Sequence, residues 1–191
     1  MRLFITTLTL TLIVSFSSLS LAKVPTCSGS KIQPLPHGAK VGQSLSKAHR
    51  GIKKKWGSKG KVQKSDQGAG SFLIASEMNK KNNRTFAGFG AMVKDDVTFA
   101  LIWMYSDKFT SRAGSWQDAV LTLAKKINAK YGRKADESGE DGDGGIKITW
   151  NDGDLRLVLS ASSRSTSLTY ICDATKEYID TKAQKNLDVG F

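Results

Sequence analysis

The sequence predicts an α+β protein, two helix-plus-three-strand units forming a mainly antiparallel sheet packed against helices. Three observations carry that expectation. Two segments repeat apolar residues at helical spacing behind a serine suited to N-capping. Each is followed by short runs rich in β-branched and aromatic residues. The turns between those runs are too short for crossover connections, so neighbouring strands pair antiparallel.

The first 22 residues stand apart from this pattern. Met1 and Arg2 lead into Leu3-Phe4-Ile5 and on through Leu8, Leu10, Leu12, Ile13, Val14 and Phe16, and the stretch closes on Ser20-Leu21-Ala22. A short positive start, an apolar run and small residues before a cut describe a secretory signal peptide cleaved after Ala22. As a membrane anchor the run falls short of the roughly 20 residues that span a bilayer. No Cys follows the cut, which excludes the lipid-modified form, and no second long apolar segment follows. A soluble periplasmic or secreted product is expected, with no transmembrane segment in the mature chain. Cys27 and Cys172 survive the cut, and an exported pair of cysteines is expected to form a disulfide, two free thiols being the alternative.

Residues 23–43 read as an extended lead-in, punctuated by Pro34, Pro36 and Gly38. Ser44 then N-caps a helix from Leu45 to Trp56, with Leu45, Ala48, Ile52 and Trp56 on one stripe. Gly57 and Gly60 end it, and Lys59 to Gln67 reads as a basic polar loop. Strands are expected at Ser71 to Glu77, Thr85 to Val93 and Val97 to Tyr105. Gly88 and Gly90 mark a bend or a close backbone approach, and lack the third glycine and helix start of a phosphate loop. Ser115-Trp116-Gln117-Asp118 opens the second helix, whose stripe runs through Val120, Leu123, Ile127 and Tyr131 to a glycine cap at Gly132. Glu137 to Asp143 reads as an acidic loop. Three more strands follow, Ile146 to Trp150, Asp154 to Ser160 and Ser165 to Cys172, the first two joined by the tight turn Asn151-Asp152-Gly153. A polar helix over 174–186 lies on the outside. Residues 44–191 thus form one domain, divisible into halves 44–106 and 115–173. The beta-lactamase inhibitor proteins are similar in having tandem helix-and-sheet units, with a sheet that acts as a protein-binding surface; the resemblance is one of architecture and carries no motif residues across.

Charge is segregated along the chain. The net charge of +12 becomes +11 when Arg2 leaves with the signal. From Lys23 to Ser65 there are eleven Lys or Arg and no acid, whereas the remainder carries seventeen of each sign. The candidate binding patch is Lys47, Arg50, Lys53, Lys54, Lys55, Lys59 and Lys61, a positive field that draws polyanions or an acidic protein face; the plainer reading is a solvated surface. Nucleic acid stays open without a motif, since Trp56 alone is interleaved with the lysines.

No catalytic constellation is visible, and no cofactor or metal is expected. His37 lies in the lead-in and His49 beside the first helical stripe, without a nucleophile elbow to serve. The acidic loop lacks the alternate ligands and closing Glu of a calcium loop, and reads as a solvated turn. The expected function is that of a non-enzymatic, exported binding protein of the bacterial envelope or extracellular space, in one version an inhibitor or immunity-type protein. The alternative is a basic module attaching to an anionic polymer or membrane surface. An unrecognised hydrolase, with a cleft joining His49 to a carboxylate, comes third.

Overall fold

The structure is a computed structural model and describes residues 23–79, 85–112, 114–141 and 144–188. The segment read as a signal peptide lies outside the described residues.

Ser44 caps α1 (Leu45–Trp56), its hydroxyl accepting from the Lys47 N–H. One 3-10 turn at Gly57–Lys59 leads into β1 (Gly60–Gly68), β2 (Ser71–Met78), β3 (Phe86–Lys94) and β4 (Val97–Tyr105). A short α2 (Asp107–Ser111), which no periodicity announces, precedes α3 (Trp116–Tyr131). Ser115 caps α3 and left-handed Gly132 ends it, both as the sequence suggests. There follow β5 (Glu137–Asp141), β6 (Gly145–Asp152), β7 (Leu155–Ala161), β8 (Thr166–Cys172) and α4 (Asp173–Asp188).

α1 and α3 are therefore each followed by four strands instead of three. The segments read as charged loops are the edge strands β1 and, as far as Asp141, β5. An edge strand pairs on one side only and need bury neither face; β1 is exposed at nearly every position, so its composition imitates a loop.

All eight strands form one antiparallel sheet in the order β1-β2-β3-β4-β8-β7-β6-β5. Six pairings join consecutive strands. The seventh joins the two halves through their last strands, Ala100–Met104 against Ser167–Ile171. Strand alternation gives the sheet a near face of Ile74, Phe89, Leu101, Trp103, Leu168, Tyr170, Leu157, Leu159, Ile148 and Trp150, all buried. α1 covers one half of it, Trp56 stacking on Phe89 with ring centroids 4.1 Å apart. α3 covers the other, Asn128 accepting from Trp150 Nε1 at 2.8 Å.

The lead-in occupies the gap between the helices. Ile32, His37 and Ala39 are buried. Gly42 donates to Thr98 O, and Thr98 donates to Gln43 O, each at 2.8 Å. Asp152 Oδ2, at the β6–β7 turn, accepts from Ser30 Oγ, Lys31 N and Ile32 N. Tyr131 of α3 donates to Gln33 O at 2.9 Å. Cys27 is bonded to Cys172, 145 residues away, which accords with folding in an oxidising, non-cytoplasmic compartment. No helix among the described residues is long and apolar enough to cross a membrane.

The last helix is less external than its polarity suggests. Ile179 is buried, Asp173 pairs with Arg156 and Asp180 with Lys94. Both basic partners belong to the far face of the sheet, so α4 lies across one end of that face.

Where the lead-in crosses α1, Gly51 faces Gly38, and a Cβ on Gly51 would stand 2.1 Å from Gly38 O. Gly-to-Ala inside a helix ordinarily stabilises by about 1 kcal/mol. Gly51→Ala is expected to reverse that sign and destabilise by roughly 1–3 kcal/mol, because backbone and not a flexible side chain must move. Urea unfolding of the variant beside the parent protein measures it.

Candidate functional site

The seven cations singled out in the sequence are all exposed. Among the described residues the ion pairs are Lys94–Asp180, Arg133–Asp136, Arg156–Asp173 and Lys176–Asp180, none of which draws on the patch. α1 and the turn after it bring Lys47, Arg50, Lys53, Lys54, Lys55 and Lys59 to one end of the sheet. Lys55 and Lys59 each stand 5.3 Å from the Trp56 ring centroid, a cation–π arrangement that anchors them to the core aromatics. Lys61 is separated from the rest. As a strand residue it points to the far face, where its cross-strand partner is Glu77. Lys64, one of the eleven cations of the basic segment but outside the candidate patch, belongs to the near face and joins the patch: with Lys53 it adds to the effect of partial burial in holding the His49 pKa below its ordinary value.

His49 thus sits among cations, and the charged groups acting on it are Lys64 and Lys53 instead of a carboxylate. His37 is buried. Its Nε2 lies 3.1 Å from Ile102 O and its Nδ1 3.4 Å from the Ala39 N–H, an arrangement that suits the neutral ring with its proton on Nε2. The ring meets Trp103 edge-on at 4.9 Å and Phe89 at 6.0 Å. Burial is the main reason its pKa is lowered to about 4. This histidine locks the lead-in onto the sheet.

A second surface lies on the sheet, and the sequence reading singled out none of its residues as a site. Between Glu77 at one rim and Lys94 at the other, the far face over β2–β4 presents Leu73 and Ala75, then Gly88, Gly90 and Met92, then Ile102 and Met104, with no charge among these seven. Leu73, Ala75, Ile102 and Met104 are partly exposed, and Met92 is 39% exposed. A Cβ on Gly88 would lie 2.7 Å from Met104 Cε, and one on Gly90 3.5 Å from Ile102 Cβ. The paired glycines let the β4 side chains lie over β3, which gives the close approach expected of them a cause. Across the seam the same face is more polar, with Ser167, Thr169 and Ile171 on β8, Arg156, Val158 and Ser160 on β7 and Lys147, Thr149 and Asn151 on β6.

Two openings border the lead-in and the last helix. One of about 380 Å³ lies against Thr26, Gln33, Pro34, Lys40, Leu101 and Tyr170. The other, about 450 Å³, lies against Pro25, Asp154, Tyr178 and Lys182. Neither is lined by a histidine. Comparisons with protein-family models, with curated proteins and with solved structures find no match to this chain.

The lowered His37 pKa sets a pH dependence. The unfolded chain takes up this proton near pH 6.5 and the folded protein only near 4. Stability should therefore be complete above 6.5 and decline as the pH falls to 4, by about 3 kcal/mol for a difference of this size. Below that window Asp136, Asp152 and Asp180, each held below the ordinary carboxylate range by hydrogen bonds, lose their contribution in turn. Urea unfolding at stepped pH should show the slope between 6.5 and 4 in the parent protein and lose most of it in His37→Gln, the remainder belonging to His49, whose pKa is also lowered.

Proposed function

We propose that this chain is an exported, non-enzymatic binding protein that holds a protein partner across the part of the sheet's far face that α4 leaves uncovered. The observation that carries the reading is the uncharged, partly exposed floor of Leu73, Ala75, Met92, Ile102 and Met104. An antiparallel sheet with one solvated face ordinarily shows polar residues there. The β8–β6 half is polar at most of its far-face positions, whereas the β2–β4 half is apolar between Glu77 and Lys94. Apolar surface gathered in one place on a soluble chain is characteristic of a contact site. An inhibitor or immunity-type protein, which blocks another exported protein by covering it, is the specific form that suits a rigid sheet.

A second reading rests on a different observation: six exposed cations on α1 and its following turn have no ion-pair partner among the described residues. They suit an anionic polymer or membrane surface, and such binding collapses as salt screens exposed charge.

Capture from envelope and secreted fractions at low and high salt separates the two. A single protein retained at high salt, with affinity lowered roughly tenfold or more by Met92→Glu, supports the sheet-face reading, since the new carboxylate would be desolvated on docking. Broad capture that vanishes at high salt and in a Lys47, Arg50 and Lys54 triple alanine variant would replace it with the second.

A further inference from the structure

The two edges of the sheet carry opposite charge. β1 presents Lys61 and Lys64, and its one acid, Asp66, is turned onto the Gly68 N–H at 2.7 Å. β5 presents Glu137 and Glu140 and no base. All four of these charged side chains are exposed, and among the described residues β1 pairs only with β2 and β5 only with β6. The outer side of each is a row of N–H and C=O groups ready to accept another strand.

Charge decides which strand that is. β1 against β1 brings lysines together, and β5 against β5 brings glutamates together. Only β5 of one copy against β1 of another sets unlike charges side by side. Strand direction agrees, because the first and last strands of an eight-stranded antiparallel sheet run in opposite directions. A copy laid alongside with the same face up continues the antiparallel order. Side-chain alternation agrees as well: Lys64 registers with Ile74 and Glu140 with Ile146, so both belong to the near face. At the centre of β5 stands Gly139, where a Cβ would meet nothing within 4 Å. A bare strand centre is where another backbone can come close.

We propose that copies of this chain join edge to edge, β5 of one pairing antiparallel with β1 of the next and Glu140 standing opposite Lys64. The contact is head-to-tail. It leaves a free β1 at one end and a free β5 at the other, so it propagates as an open string instead of closing as a dimer. With exposed charges selecting the pairing, it forms at low ionic strength and dissolves as salt rises. No other protein enters, so its outcome is independent of whether the far face binds a partner.

Sedimentation velocity of the purified, disulfide-bonded protein over a concentration series tests it. At low salt the average sedimentation coefficient should climb with concentration, and at high salt it should stay at the single-copy value. Lys64→Glu and Glu140→Lys should each abolish the climb, and the double charge swap should restore it. Far-UV circular dichroism of each variant confirms the fold first. A parent protein that stays single at low salt, association that either single reversal leaves intact, or a folded double variant that fails to recover it would each overturn the proposal.

Discussion

The structure depends on one non-local strand pairing, the seam between β4 and β8. Every other pair joins consecutive strands and is closed by a short chain segment, so each half could form its own meander. Joining the last strands of both halves sets the two meanders in phase and puts α1 and α3 on one face. It also leaves Leu101, Trp103, Leu168 and Tyr170 along the middle, between the helix footprints. The lead-in is what closes that gap.

That duty explains the density of its anchors. A stretch of twenty-one residues without regular structure loses backbone entropy on docking and gains no ladder of hydrogen bonds in return. The disulfide, the triple acceptor Asp152, the Gly38–Gly51 crossing and the neutral His37 ring each hold a different point along it. The bridge ties its first residues to the seam strand itself, because Cys172 ends β8.

Features with a local cause were legible in the sequence. Ser44, Ser115 and Gly132 act within one turn of themselves, and the Asp152-Gly153 turn needs only the left-handed φ of 61° that glycine adopts. The lead-in's burial was not legible, since Ile32, His37 and Ala39 lie among prolines without a period. β1 was hidden for the opposite reason: an exposed edge has no buried face to impose alternation. Reading it as a loop also merged Lys61 with the helix cations, although strand geometry sends it to the other side of the sheet. The apolar floor did leave a trace. Ala100 to Tyr105 is an unbroken apolar run, and such a run signals a strand with two apolar faces instead of one.

The cations of α1 do not all have the same physical status. Lys53, Lys54 and Lys55 lie in its last turn, where the negative end of the helix dipole favours them. Lys55 and Lys59 are further held over Trp56. These residues have a structural reason to be basic. Lys47 does not: it stands in the first turn, which contains no acid, at the end of the helix where the dipole disfavours positive charge. Arg50, one turn on, also has no ion-pair partner among the described residues. A charge that lowers the stability of its own helix and meets nothing in its own fold is the kind that a partner explains, so any electrostatic role of this surface rests first on Lys47 and Arg50.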